Sequence, residues 1–305
     1  MYDIIIIGAG PAGLSAGIYG GMANKKILIL EKNYCGGQVA SISQIKNYPG
    51  FETIDGFSLS QKMKQQAISL GVKIVSEEVK EVNLVNDIKI VKTYTNTFNS
   101  KAVIIASGAY AKQLDVDNEK YYLGRGVSYC ATCDGNFFKD KVVAVVGGGN
   151  TSLDDCIYLS NIVKKIYLIH RRDVFTGSQN TLNVIKNMSS DKDNKIEILT
   201  NCIVTKLSGN EKLEQIEILN KITNKKREIN LDGLFVAIGR KPDTEIFSKQ
   251  IELTEKGFIK TNSQMQTNIK NVYAVGDVRD TNLRQIVTAC ADGAIAVTNF
   301  ISSEN

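Results

Sequence analysis

Twice in this chain an apolar strand runs into a glycine-rich turn and leaves through a helix to a second apolar strand. The first copy is Ile4-Ile5-Ile6-Ile7, then Gly8-Ala9-Gly10-Pro11-Ala12-Gly13, a helix-like stretch from Leu14 to about Met22, and Lys26-Ile27-Leu28-Ile29-Leu30. The second is Val142-Val143-Ala144-Val145-Val146, then Gly147-Gly148-Gly149-Asn150-Thr151-Ser152, a helical stretch, and Lys165-Ile166-Tyr167-Leu168-Ile169. Strands that are apolar throughout, alternating with helices, imply parallel sheets covered on both faces. A chain of 305 residues suits two domains of ordinary size. The expected fold is α/β, with two Rossmann-like three-layer nucleotide-binding domains, the second inserted into the first.

Each glycine has a physical role. Gly8 permits a tight turn, Gly10 lets the backbone approach a pyrophosphate, and Gly13 lets helix and strand pack closely. The N–H groups at the helix start favour phosphate. Gly147 and Gly149 take the corresponding places in the second copy. The residue 23 positions after the first glycine is Glu31 in one copy and His170, followed by Arg171 and Arg172, in the other. An acid there favours a ribose hydroxyl pair, as in FAD or NAD, whereas arginines favour the ribose 2′-phosphate of NADP. Near the end, Val272-Tyr273-Ala274-Val275-Gly276-Asp277 reads as a strand that offers Asp277 to a flavin ribityl chain. A helix expected from about Leu283 would aim its dipole at the flavin's N1–C2=O edge. The first, discontinuous domain is expected to span 1–112 with 245–305 and to bind FAD. The inserted domain is expected to span 113–244.

Between the two fingerprints stands Cys130-Ala131-Thr132-Cys133-Asp134-Gly135. A Cys-x-x-Cys pair can cycle between dithiol and disulfide. Structural zinc needs about four ligands, and this chain has no second such pair and one histidine, His170, which the nucleotide motif claims. No metal is expected. A redox pair flanked by nucleotide folds reads as a flavoprotein that reduces a disulfide. Hydrophobic residues at 43%, charged residues at 23% and three prolines describe a globular chain. Scattered lysines and a net charge of +5 do not make a nucleic-acid footprint. The six cysteines lack the repeated spacing of a secreted disulfide framework. No apolar run approaches the roughly 20 residues that span a bilayer, and the chain enters a strand at once, without a basic leader. A cytoplasmic protein with neither nucleic-acid nor membrane partners is expected. Cys156, Cys202 and Cys290 read as small core residues, and Cys35, beside Gly36-Gly37, has no assigned role.

Nearly end to end, these segments resemble the low-molecular-weight thioredoxin reductases. The resemblance rests on residues 8–13, Gly36-Gly37-Gln38, Asn47-Tyr48-Pro49-Gly50, Ala106-Ser107-Gly108-Ala109, residues 130–135 and 147–151, His170-Arg171-Arg172, residues 276–280 and Arg284-Gln285. In the related lipoamide and glutathione enzymes the redox pair lies in the first domain near residue 40, where Cys35 stands alone here. The resemblance implies a homodimer with one FAD per subunit, held by Gly8, Gly10, Gly13, Glu31, Gly37, Gln38, Asn47, Ala106, Gly108, Gly276, Asp277, Arg284 and Gln285. It implies NADPH at Gly147, Gly149, His170, Arg171 and Arg172. Electrons would pass from NADPH through FAD to the Cys130–Cys133 disulfide and on to thioredoxin. Cys133 would face the flavin, Cys130 would attack the partner, and Asp134 would handle protons. A rotation between domains would bring nicotinamide and dithiol to the flavin in turn.

Two departures bear on the donor. The family's His-Arg-Arg-x-x-x-Arg ends here in Thr176, and Ser152 stands where alanine is usual. Loss of one charge-assisted contact costs about 1.5–3 kcal/mol, roughly ten- to a hundredfold in affinity. Ferredoxin-dependent flavin thioredoxin reductases keep this fold with degraded nucleotide motifs, so ferredoxin is the alternative donor. A flavin redox sensor without turnover is the reading from another class. The acid beside the second cysteine speaks for turnover.

Overall fold

The computed structural model describes residues 1–42, 44–190 and 195–304. The chain divides into two compact units, Met1–Tyr110 with Lys241–Asn305, and Ala111–Arg240. Both crossings fall a few residues ahead of the expected 112 and 244.

In the first unit, strands Lys73–Val75, Ile27–Leu30, Tyr2–Ile7 and Thr97–Ile105 lie parallel in that order. The far edge of Thr97–Ile105 is shared. Val272–Ala274 pairs parallel with its last three residues, and Lys89–Thr93 pairs antiparallel with its first half, followed by Val79–Asn83. Ile4 and Ile6 pack with the helices Pro11–Met22, Gly56–Ser69 and Ile286–Glu304. Ile5 and Ile7 face the opposite core with Val91, Phe247 and Ile259. Both faces are covered, which is why four isoleucines in a row are all buried.

The last helix starts at Ile286, three residues later than the sequence suggests. It is also long and apolar enough, by length and composition, to cross a membrane, a property that the search for apolar runs missed. Here its Ala289, Ala296, Val297 and Phe300 belong to the core of the first unit. A Cβ on its Gly293 would sit 2.2 Å from the Ala12 carbonyl oxygen, so the last helix and the first meet backbone to backbone.

The second unit carries five parallel strands in the order Ile196–Leu199, Lys165–Ile169, Val142–Val146, Gly233–Val236 and Val127–Ser128. Val143, Val145 and Phe235 pack on Leu153, Cys156 and Leu159 of helix Asn150–Ser160. Ala144, Val146 and Leu234 pack instead with Leu207, Ile216 and Ile229 of the antiparallel meander Cys202–Ser208, Gln215–Asn220 and Lys226–Asn230. Helices, parallel sheet and meander make the expected three layers.

Candidate functional site

At the first turn, Gly8 has φ +107°, and a Cβ there would lie 2.4 Å from the Ala106 carbonyl oxygen. A Cβ on Gly13 would lie 1.9 Å from the Gly8 oxygen. Gly10 and Gly108 behave oppositely: a Cβ on either would meet nothing within 4 Å. Bare backbone is thus presented along a strip that side chains would otherwise fill, a cradle that fits a pyrophosphate. Helix Pro11–Met22 opens with proline, without a side-chain cap or an acid in its first turn. Helix Gly56–Ser69, by contrast, is capped by Asp55, which accepts from the Ser58 N–H at 2.8 Å. Only the first of these helix starts is left available to an anion.

Several of the remaining flavin candidates lie against that turn, and the others belong to the same unit. Gly36 N–H donates to the Ala9 carbonyl at 2.8 Å, a Cβ on Gly37 would sit 3.5 Å from Gly10 Cα, and Gln38 Nε2 donates to the Ala109 carbonyl at 2.5 Å. Glu31 braces the turn, its Oε2 accepting from Ala9 N–H at 2.7 Å and its Oε1 from Asn33 N–H at 2.9 Å. Asp277 lies in the short turn Gly276–Val278. Asn47 Nδ2 donates to Gln285 Oε1 at 3.0 Å, and the Arg284 guanidinium stands 4.4 Å from the Phe258 ring centre. The sequence reading missed Arg279 and Asp292. Asp292 Oδ2 accepts from Gly276 N–H at 3.0 Å and from Arg279 Nε at 2.7 Å, and its Oδ1 from Arg279 Nη2 at 3.2 Å. This buried fork fixes Gly276, whose φ is +71°. An acid in the middle of an apolar helix, whose other acid is the terminal Glu304, was the available signal.

At the second turn, helix Asn150–Ser160 likewise starts without a side-chain cap. His170 is buried, its ring so close to Gly148 that a Cβ there would lie 2.1 Å from the imidazole Cε1. Its Nε2 is 3.1 Å from the Val174 carbonyl, and its ring centre is 4.7 Å from that of Phe175. Burial, backed by the charges of Arg172 and Arg171, lowers the His170 pKa against the opposing pull of its bond to the Val174 carbonyl. Arg171 and Arg172 stay exposed at the strand end, where guanidiniums fit a 2′-phosphate. Thr176 latches onto the turn: its N–H and Oγ1 donate to the Gly148 carbonyl at 2.8 and 3.1 Å, joined by Gly177 N–H at 3.1 Å. The Ser152 hydroxyl is satisfied by the Gly149 carbonyl at 2.8 Å.

Cys130 and Cys133 are disulfide-bonded across one short helical turn, with Cα atoms 5.3 Å apart. Asp134, half-buried beside Cys133, accepts from the Ser128 hydroxyl at 2.6 Å. Burial pushes its carboxyl above the usual carboxylate range, and the Ser128 hydrogen bond draws it partly back. A carboxyl so placed retains a proton to nearer neutrality than a solvated one. The other four cysteines are free, and burial pushes each thiol upward, Cys156 to about 12, so none is an activated thiolate. A cavity of about 830 Å³ in this unit is lined by Tyr121 and Arg125 ahead of the redox pair and by Phe137 and Lys141 after it, and its wall includes none of the glycine-turn residues.

Residues 2–293 match the family model of the pyridine nucleotide-disulphide oxidoreductases. Over 97% of its length the chain is 39% identical to a thioredoxin reductase of Bacillus subtilis (strain 168), covering 92% of that protein. It is 40% identical to one of Helicobacter pylori (strain J99 / ATCC 700824) over 99% of its own length and 98% of the other. The crystal structure of thioredoxin reductase from Streptococcus pyogenes MGAS5005 superposes with a TM-score of 0.90, at 36% identity and 99% coverage of both chains.

Proposed function

We propose a reaction for this chain, which belongs to the pyridine nucleotide-disulphide oxidoreductase family and, within it, to the thioredoxin reductases. It is a flavin-dependent oxidoreductase that reduces the disulfide of thioredoxin, with FAD and NADPH as its cofactors. The observation that carries this reading is the Cys130–Cys133 disulfide, with a carboxyl of raised pKa next to it, in the unit that also bears the second nucleotide turn.

FAD at the first turn supplies the two-electron chemistry. Gly8, Gly10 and Gly13 would admit its pyrophosphate, Asp277 would take its ribityl chain, and Arg284 and Gln285 stand just ahead of the helix that would face its ring. Arg171 and Arg172 grip the NADPH 2′-phosphate. Cys130 would attack the partner's disulfide, Cys133 is the member of the pair that would meet the flavin, and Asp134 would carry the proton that the leaving sulfur needs. The first unit is the flavin domain and the second the nucleotide and dithiol domain. The enzyme works as a homodimer in the cytoplasm, a compartment that suits four free thiols beside one redox pair. Ferredoxin is the second reading for the donor, favoured by Thr176 at the place of a phosphate-binding arginine.

Anaerobic half-reactions test this. Cys130→Ser should leave flavin reduction by the donor intact and stop thioredoxin reduction. Cys133→Ser should stop turnover by cutting the link from flavin to dithiol. Turnover in Cys130→Ser above about 1% of the parent would contradict its role, because loss of a nucleophile costs orders of magnitude.

A further inference from the structure

We propose that Ser128 is a positioning residue for the dithiol chemistry, its hydroxyl holding the Asp134 carboxyl against the Cys130 backbone in both protonation states of that carboxyl. The inference rests on the reading of Asp134 as the group that moves protons for the pair. Ser128 is buried, at the end of the short strand Val127–Ser128. Three groups surround its Oγ: Asp134 Oδ2 at 2.6 Å, Cys130 N–H at 3.1 Å and the Cys130 carbonyl at 3.3 Å. A hydroxyl has one proton to give and two lone pairs to receive. When Asp134 is ionised, Ser128 donates to it and accepts from Cys130 N–H. When Asp134 holds a proton, it donates to Ser128, whose own proton turns to the Cys130 carbonyl. That carbonyl also accepts from Asp134 N–H at 3.1 Å, so the arrangement closes on itself. Neither state leaves a buried polar atom unmatched, and the proton can come and go without a side chain moving.

The pair's chemistry needs such a carrier. Opening the Cys130–Cys133 bond takes two electrons, which the reductase reaction supplies, and two protons, and it yields two thiols. Asp134 gives one proton to the departing sulfur and regains one from solvent. Oxidation by the thioredoxin disulfide returns both electrons and both protons to the partner's thiols. Burial and the Ser128 bond are the influences on Asp134, and among the described residues no charged side chain adds to them. The titratable neighbours are the two cysteines themselves, Tyr129, whose hydroxyl donates to Glu119 at 2.7 Å, and Tyr158, which packs with Leu159 over Gly135 from helix Asn150–Ser160.

The test is the pH profile of thioredoxin reduction by the holoenzyme. Activity should fall as pH rises and Asp134 loses its proton. Ser128→Ala removes a donor to the carboxylate, so this limb should move up by about one to two pH units. Its plateau should fall about tenfold from lost positioning. Ser128→Thr should keep the parent profile, whereas Ser128→Val, equal in shape to threonine, should behave as alanine does. Parent-like profiles in Ser128→Ala and Ser128→Val would overturn the inference. Asp134→Asn separates the two levels: persistence of the limb in that variant would overturn the role of Asp134 itself. Its loss there, with no shift in Ser128→Val, would overturn Ser128 alone.

Discussion

The two glycine turns share a strand, a helix and a 23-residue spacing, yet different side chains brace them, and the brace decides which glycines are obligatory. In the first turn Glu31 reaches the backbone N–H of Ala9, which leaves room for the alanine methyl. In the second the His170 ring lies on the corresponding residue, and only glycine fits at 148. The carbonyl of that residue is tied down in both copies, by Gly36 in one and by Thr176 and Gly177 in the other. The first glycines also differ, Gly8 at φ +107° and Gly147 at +158°, close to extended. The Gly8 carbonyl points at residue 13 and forbids a Cβ there, whereas Ser152 occupies the equivalent place in the second turn. A fingerprint is therefore not one rule used twice.

Giving the first turn the second turn's residue should produce the largest effect. Gly13→Ser would put a Cβ 1.9 Å from a carbonyl oxygen, and the protein should purify without flavin or fail to fold. Full flavin content, read from the visible spectrum, would break the comparison. The reciprocal change is Gly148→Ala, whose methyl would collide with His170. Overpacking of this kind costs about 1–3 kcal/mol, so NADPH-driven flavin reduction should slow by roughly ten- to a hundredfold while FAD stays bound. Adding His170→Ala should recover part of the loss, and a double-mutant cycle measures the coupling.

Arg171→Ala should raise the apparent NADPH constant about tenfold and leave NADH unaffected, through loss of a charge-assisted bond. Equal effects on both nucleotides would mean that the arginine does not read the 2′-phosphate. Thr176→Arg should improve NADPH use further, because the backbone N–H that ties residue 176 to Gly148 survives the substitution.

The smallest effect concerns Asp155, whose counterpart in the first copy is the buried Ala16. Burial, then Asp154, pushes its carboxyl up to about 7, with Arg240 opposing. A folded-state value above the ordinary 3.8 means that its contribution to stability is full below about pH 4 and is lost as pH rises through about 7. Asp155→Asn should flatten the dependence of the melting temperature on pH between about 4 and 7, by a few degrees. An unchanged slope would show that the carboxyl titrates normally.

What was legible in the sequence was local in origin. The strand–turn–helix units, the redox pair and the residue 23 positions on are short-range patterns, and the fold delivers each of them. The rest depends on contacts between distant segments. Asp292 reaches Gly276 and Arg279 across a turn whose shape no periodicity reveals. His170 stays within the second turn, where burial sets its ring against Gly148, and Arg171 and Arg172 hold the exposed position. The last helix starts at Ile286 because Gln285 and Thr288 hydrogen-bond each other at its entrance, a capping pattern masked by the apolar Leu283 and Ile286. Ser128 carried no motif at all; its role follows from three distances.

The central claim is that the first turn holds FAD while the second delivers electrons from NADPH. Anaerobic stopped-flow mixing of the yellow protein with NADPH, NADH or reduced ferredoxin, followed at the flavin band, tests it most directly. NADPH should bleach the flavin at about 10 s⁻¹, a rate typical of enzyme turnover, and NADH far more slowly. Bleaching by reduced ferredoxin, with neither nucleotide acting at a useful rate, would contradict the account.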